Sequence, residues 1–227
     1  LLDRDTGIIW LLHNVAIHKG RMAEKGEGGK DQWQERRSYA VVRCSKDDGL
    51  TWSDPVYEFT KTADGRPAHA SVTTGIQISN GRLLFTGQAS MSDTADVTQA
   101  CCLYSDDHGK TWQPGHPVPR GRGMPAMGNS TVVELMDGRL LILMRPRGSG
   151  KLRAKAYSRD GGNTWSASEK ASTPNPDCVS ATAGFVRLSD EKRHDRNRLL
   201  FSGAPDGDKS RSNLHIWISY DEGETWQ

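Results

Sequence analysis

The chain has 227 residues, of which 35% are hydrophobic, and it contains 24 glycines, 10 prolines and 7 tryptophans, a composition that favours a turn-rich, all-β protein. The formal charge is only +2 at pH 7, with both signs interspersed and no basic stripe, which argues against a nucleic acid partner. No apolar run is long enough to predict a segment that crosses a membrane.

An eight-residue motif, S-x-D-x-G-x-T-W, occurs four times and each time ends an extended run. In such a turn, a Ser or Asp side chain accepts hydrogen bonds from backbone N–H groups, and glycine takes the positive φ of the corner. The tryptophan is expected to close the hairpin by packing its ring against the sheet. The motif residues are Ser45, Asp47, Gly49 and Trp52; Ser105, Asp107, Gly109 and Trp112; Ser158, Asp160, Gly162 and Trp165; and Ser219, Asp221, Gly223 and Trp226.

The spacing of the motif predicts a repeated structural unit. Its tryptophans, at 52, 112, 165 and 226, recur at intervals of 60, 53 and 61 residues. A hairpin turn followed by an apolar strand recurs in phase between the motifs, as in Asn80–Phe85 and Asp137–Ile142. About four antiparallel strands per repeat indicates the blade of a β-propeller, with approximate repeats at 1–60, 61–117, 118–170 and 171–227.

Both ends of the sequence lie inside this repeat pattern. The chain starts at Leu1 within an extended run and stops directly after Trp226, and four blades are few for a closed ring, so we interpret it as a segment of a larger propeller. A signal peptide would lie upstream, so the compartment is left open, with a secreted or lysosome-like one compatible. Four cysteines, at 44, 101, 102 and 178, lack metal-binding spacing and are predicted to be buried thiols. We expect neither a metal nor a cofactor.

The four motifs, known as Asp boxes, and several further stretches resemble the sialidases (exo-α-neuraminidases), which are six-bladed propellers. The stretches are Gly75–Leu84, Val132–Leu141, Leu143–Arg145 and Arg211–Leu214. The resemblance covers essentially the whole chain and implies a sialidase-type propeller of four-stranded antiparallel blades, with about four of the six present. It also implies that the boxes are structural and lie on the face away from the active site.

The resemblance assigns two arginines to substrate binding. Sialidases hold the carboxylate of sialic acid with three arginines, because a guanidinium offers a planar fork of donors that matches a carboxylate. The second falls on Arg145 and the third on Arg211, with Lys209 as the alternative if the register slips. The first lies upstream of Leu1. We expect Arg147 and Arg153 to be surface charges.

The catalytic residues of the family are only partly represented. Sialidases are similar to retaining glycosidases, but they use a tyrosine nucleophile activated by a glutamate, with an aspartate as acid and base. The aspartate and the tyrosine fall outside this segment. The glutamate falls on Asn129, which cannot accept the phenolic proton. Either the site is altered, or the loop 121–128 shifts the register. Around the sugar, the resemblance suggests His69 and Met127, with Ser71 and Met124 nearby.

Three hypotheses follow from these residues. The favoured one is a sialidase segment that acts on sialylated glycans or a related nonulosonic acid. The second is a propeller that binds such sugars without catalysis, which Asn129 keeps open. The third is a purely structural Asp-box propeller, similar to those of sorting receptors or some endoglucanases. The sequence does not address the oligomeric state.

Overall fold

The computed structural model describes residues 1–21, 33–91, 98–147, 153–174, 183–204 and 214–227, with residues 18–21 and 33–38 described by their backbone alone. Within these ranges, all regular secondary structure is β-strand, arranged in four antiparallel sheets. No helix in the same ranges has the length and apolar character needed to cross a bilayer.

The sheets follow one another along the chain. The first contains β1 (Ile9–Arg21), β2 (Trp33–Ser45) and β3 (Tyr57–Phe59), in that order. The second contains β4 (Ala68–Ala70), β5 (Ile76–Gln77), β6 (Leu83–Ser90), β7 (Thr98–Ser105) and β8 (Gln113–Pro114), and both β4 and β5 pair with β6. The third contains β9 (Met127–Glu134), β10 (Leu140–Pro146), β11 (Ala154–Ser158) and β12 (Glu169–Lys170). The fourth contains β13 (Gly184–Ser189), β14 (Arg198–Gly203) and β15 (His215–Ser219).

Successive sheets pack face to face, which explains the consecutive apolar residues that begin β6 and β10. Side chains alternate between faces, so both faces of such a strand are buried. On β6, Leu83 and Phe85 join the core against the first sheet, whereas Leu84 joins the core against the third. On β10, Leu140 packs in the core against the second sheet and Leu141 in the core against the fourth.

The adjacent cysteines follow this alternation, and both are buried, as the sequence predicted. Cys101 packs in the core against the first sheet and Cys102 in the core against the third, and both are free, fully buried thiols. Burial raises the pKa of both thiols. Cys44 is half-buried, and Cys178 lies outside the described residues.

Candidate functional site

The four Asp boxes fold into the same hydrogen-bonded turn at one end of the sheets, which we call the box end. In the first, the Gly49 N–H donates to the Ser45 hydroxyl at 2.8 Å, and the Thr51 N–H donates to Asp47 Oδ1 at 2.9 Å. The other three boxes repeat both bonds at 2.8–2.9 Å. Each box contains two consecutive residues with positive φ, such as Asp48 (55°) and Gly49 (86°). The predicted roles of Ser, Asp and Gly in the turn are confirmed.

Hydrogen bonds determine the pKa of the box carboxyl groups. The side-chain and backbone donors of Thr51, together with the Ser45 hydroxyl, lower the pKa of Asp47 to about 2. Burial alone would raise the pKa of Asp107, but the bonds from Thr111 and Ser105 outweigh it, so this pKa also lies below its usual range. The box carboxylates are therefore ionised and engaged within the turn, and they are poor candidates for acid–base chemistry.

Each later box also contacts the sheet before it. A Cβ added to Gly109 would lie 2.1 Å from the Trp10 ring of the first sheet, and one added to Gly162 would lie 2.4 Å from Leu84 of the second. Arg82 on the second sheet pairs with Asp106 and donates to the Asp160 carbonyl of the third box at 2.9 Å. The box end thus joins neighbouring sheets.

The tryptophans of the boxes are not equivalent. Trp112 and Trp165 are buried, and the Trp112 ring lies 5.5 Å from the Trp10 ring. Trp226 packs beside Phe201 with ring centroids 5.7 Å apart. Trp52 is less covered than the other three and remains 40% exposed, with its ring beside Gly49 of the same box. The first sheet has no described sheet before it to cover that ring.

One group of side chains at the box end has metal-ligating chemistry. Oxygen or nitrogen atoms of Asp3, Asp5 and His108 lie within 4.8 Å of one another. The buried Asp3 carboxylate already accepts hydrogen bonds from the Thr6 hydroxyl at 2.6 Å, from Gln77 at 3.0 Å and from the Asp5 N–H at 3.1 Å, and its Oδ2 lies 3.0 Å from His108 Nδ1. These protein contacts account for the group without an ion.

A second set of polar residues lies at the opposite end of the strands. Leu140, at the start of β10, pairs with Ser158 of the third box, and Arg145 lies five residues further along, roughly 17 Å away. The pairing of β9 with β10 shifts between Met144 and Pro146, so Gly128 and Asn129 together oppose Arg145. A bulge of this kind re-aims side chains and is frequent beside functional sites. We call His69, Gln88, Asn129, Arg145 and Arg147 the strand-end cluster.

Gln88 is the member of this cluster that the sequence analysis missed. It pairs with His69 across β4 and β6, and its side-chain amide donates to Asn129 Oδ1 at 2.5 Å, which links the second sheet to the third. The residue is only 6% exposed, and its Oε1 has no hydrogen-bond partner within the described part of the chain. A buried acceptor without a donor is costly and points to a ligand or water as its partner. No sequence motif marked it, because a glutamine at a strand end is ordinary.

Hydroxyl groups of the second sheet hold the backbone next to Asn129. The Ser130 carbonyl accepts hydrogen bonds from Thr73 at 2.7 Å and Thr86 at 2.9 Å, and the Ser130 N–H donates to the Ser71 hydroxyl at 3.0 Å. Ser71, which the sequence analysis placed near the sugar, is 6% exposed and serves this link. Asn129 is therefore fixed between two sheets.

The strand-end cluster is positively charged. A Cβ added to Gly128 would lie 3.1 Å from Arg147 Cγ and 3.6 Å from Arg145 Nη2, so both arginine side chains pass beside this glycine. Burial, and secondarily the charge of Arg147, lowers the pKa of His69, which keeps its imidazole neutral at neutral pH. The five side chains of the cluster thus include two guanidinium groups, the groups whose geometry matches a carboxylate best.

The structure places the other predicted site residues as follows. His69 lies on the short strand β4 and is half-buried. Met127 has no exposed surface and packs in the core between the second and third sheets, so its side chain does not face an open pocket. Arg211 and Lys209 lie outside the described residues, and the convergence of Arg145 with Arg211 stays a prediction.

The expectation for Arg153 is wrong, because this residue is not a surface charge. It is 3% exposed, and its guanidinium lies over the Phe201 ring at 5.3 Å, between the third and fourth sheets. A cation held against an aromatic face in a core contributes to packing as well as charge. Arg147 is half-buried, and its charge contributes to the lowered pKa of His69, so it too differs from a fully solvated surface charge.

A large cavity, lined mainly by residues of the second, third and fourth sheets, is separate from the strand-end cluster. Its volume is about 1050 Å³, and its lining includes β5, β13 and residues 131–138, with the exposed side chains of Val72, Val186 and Leu188. None of the five cluster residues lines it. The polar residues predicted for the site therefore lie outside this cavity.

Four consecutive antiparallel sheets, each carrying the same box turn at one end, define an Asp-box β-propeller of the sialidase type. The chain matches the family of BNR repeat-like domains over residues 2–227 and belongs to that family. Over the whole length of this chain, it is 33% identical to a sialidase of Micromonospora viridifaciens and 29% identical to a sialidase of Bacteroides fragilis.

Solved structures agree with this fold. A Hadza microbial sialidase is 26% identical in sequence and superposes with a TM-score of 0.72. The match covers 99% of this chain and 43% of the Hadza chain. A Trypanosoma rangeli sialidase in complex with sialic acid, 20% identical, matches 93% of this chain and 35% of its own with a TM-score of 0.62. The chain spans 34% of the Micromonospora relative and 40% of the Bacteroides relative.

Proposed function

We propose that the protein is a glycoside hydrolase of the exo-α-sialidase kind, which releases terminal α-linked sialic acids or a related nonulosonic acid from glycoconjugates. The observation that carries the proposal is Arg145, which lies at the end of β10 opposite the boxes, beside a bulge in β9 and a second arginine. Relatives named sialidases, at 29–33% identity over the whole chain, support the same conclusion.

The chemistry assigns Arg145 to the carboxylate of the sugar. A guanidinium keeps its charge at any working pH and can give two parallel hydrogen bonds to a carboxylate, which also orients the anomeric carbon. Arg211 would supply the second guanidinium. By resemblance, the hydrolysis is of the retaining kind, with a tyrosine nucleophile and an acid–base aspartate contributed by parts of the protein beyond this segment.

A second candidate, sugar binding without turnover, is favoured by one specific observation. By resemblance, Asn129 falls at the position of the glutamate that activates the tyrosine, and its Oδ1 accepts a hydrogen bond from Gln88. An amide does not accept a phenolic proton at neutral pH, so catalysis would need another base. The arginines are unaffected by this difference, and sugar binding would persist.

Turnover of a fluorogenic α-sialoside by the whole protein distinguishes the two candidates, with Arg145→Ala compared to Arg139→Ala. Arg139 is the matched control, because it lies just before the same strand at the box end and pairs with Asp137. We expect Arg145→Ala to lower kcat/KM by about a hundredfold or more and Arg139→Ala to leave it within about threefold.

Two other outcomes have clear meanings. Absence of turnover by the wild type, with sialic acid binding that needs Arg145, would establish the binding function instead. Turnover that is unchanged by Arg145→Ala would remove Arg145 from the site and contradict the proposal.

A further inference from the structure

The strands of the first sheet are longer than those of the sheets that follow it. β1 and β2 have 13 residues each and stay paired from Ile9 and Ser45, at the box end, to Arg21 and Trp33. Among the described strands of the other three sheets, the longest have 8 residues. We call residues 15–21 and 33–39, the half of this hairpin away from the boxes, the ribbon.

The ribbon projects past the strands of the second sheet. The side-chain amide of Asn14 bonds to the N–H and the carbonyl of Ala70, at 2.9 and 3.2 Å, which places these two residues at the same level. Ala70 pairs with Gly87, and β6 ends three residues later at Ser90, whereas β1 continues for seven residues after Asn14. The four extra residues carry the ribbon roughly 13 Å beyond the second sheet. Ala16, on the same face of β1 as Asn14, is already exposed.

This projection is at the end of the sheets that carries the strand-end cluster. His69 and Gln88, two members of the cluster, are the chain neighbours of Ala70 and Gly87, so the cluster lies at the level where the ribbon begins. A large ligand whose terminal sugar is bound at the cluster leaves the protein through the strand end. The ribbon is therefore placed to meet the rest of such a ligand, not its terminal sugar.

Positive charge is concentrated in the ribbon. Its net charge is +3, against +2 for all 227 residues, and comes from Lys19, Arg21, Arg36 and Arg37, with Glu35 as the acidic residue. The residues that connect its two strands, 22–32, have a net charge of −1 in the sequence and lie outside the described part of the chain. Charge of one sign on a projecting element attracts ligands of the opposite sign and speeds their association.

We propose that the ribbon attracts the carrier of the sugar, so that densely sialylated glycoproteins are the preferred ligands of this protein. The assignment rests on the proposed function, since it takes the strand-end cluster as the site that binds one terminal sialic acid. A mucin-like carrier presents many further carboxylates around that sugar and is complementary in charge to the ribbon. Attraction of this kind acts mainly on the association rate and is screened by salt.

The test neutralises the ribbon in the whole protein and measures association with a sialylated mucin. Arg21, Arg36 and Arg37 are replaced together by Gln, and the initial association rate with the immobilised mucin is recorded. Neutralisation should lower this rate about fivefold at low ionic strength and less than about twofold in about 0.5 M salt. Affinity for a methyl α-thiosialoside, which is a single sugar that is not hydrolysed, should stay within about twofold.

The matched control makes the same change of charge at the box end. Lys46, Lys110 and Arg159 are exposed residues of the first three box turns, and their joint replacement by Gln should leave the mucin association rate within about twofold of the wild type. If this control slows association as much as the ribbon variant does, the net charge of the protein is responsible, and the role of the ribbon is overturned. Equal melting temperatures of the two variants and the wild type verify that each is folded.

The titration with the single sugar separates failure of this inference from failure of the proposed function. If the thiosialoside does not bind, or binds the wild type and Arg145→Ala equally well, the proposed function fails. If it binds through Arg145 but the ribbon variant associates with mucin as fast as the wild type, the role of the ribbon is overturned. A ribbon variant that loses the thiosialoside as well would place these arginines in the sugar site and would also overturn it.

Discussion

The two ends of the sheets are built on different principles. At the box end, each Ser, Asp and Thr of a motif satisfies the others within eight residues, and the result is repeated four times. At the strand end, the side chains of the cluster come from β4, β6, β9 and β10, and at least one buried polar atom, Gln88 Oε1, has no described partner. Local satisfaction stabilises the fold, whereas an incompletely paired cluster leaves groups available to a ligand.

The largest predicted effect is at the box end. Gly109→Ala forces a Cβ into the Trp10 ring and places alanine at φ +81°, so we expect a loss of about 3–5 kcal/mol in the free energy of unfolding. Gly138→Ala is the matched control, because it has the same φ with nothing within 4 Å, and it should cost only about 1–2 kcal/mol. Urea unfolding measures both, and equal losses would contradict the contact between sheets.

A substitution at the strand end should lower affinity for the sugar while changing stability less than Gly109→Ala does. Gln88→Leu removes one hydrogen bond but also one unpartnered acceptor, so the free energy of unfolding should change by less than about 1 kcal/mol. Affinity for a sialoside should nevertheless fall several-fold. Thr86→Val is the control, since it removes a donor to the Ser130 carbonyl and should destabilise by about 1 kcal/mol. A Gln88 variant with lower stability and unchanged affinity would make this residue structural.

The box carboxylates predict an acid-dependent loss of stability. Their pKa values lie below the unfolded value, that of Asp47 at about 2, so their contribution is complete above about pH 4 and is lost as pH falls toward 2. Urea unfolding between pH 5 and pH 2 should show this decline, and Asp107→Asn should make it shallower. An unchanged slope would mean that the box carboxylates do not set the acid limit.

The smallest predicted effect concerns one backbone position in the first box. Asp48 has φ 55°, and the third box has Gly161, φ 69°, at the same position. Asp48→Gly should raise the free energy of unfolding by about 0.5 kcal/mol, because glycine adopts this conformation without strain. Thermal unfolding detects the change, and a clear loss of stability would show that the Asp48 side chain contributes more than its backbone strain costs.

The box end could be predicted from the sequence because its hydrogen bonds are local, whereas the contacts at the strand end join distant parts of the chain. The boxes could be identified because their bonds join residues two to four positions apart, so one motif contains the whole turn. The apolar strands beginning near Leu83 and Leu140 followed from their composition. The third box, with Gly161 and Gly162 in succession, was as recognisable as the others.

The strand-end cluster could be predicted only in part. Arg145, Asn129 and His69 were named through the resemblance to sialidases, since each lies in or beside a stretch that carries it. Gln88 and the burial of Arg153 could not be found, since both depend on which sheet packs against which. Met127 was misjudged for the same reason, because the face of β9 on which it lies is set by the bulge opposite Arg145.

The most direct test of the account is a crystal structure of the whole protein with sialic acid bound. We predict that the carboxylate of the sugar lies within about 3 Å of the Arg145 guanidinium, at the strand end and close to Asn129 and Gln88. A sugar bound at the box end, or at the strand end without contact to Arg145, would contradict the central claim.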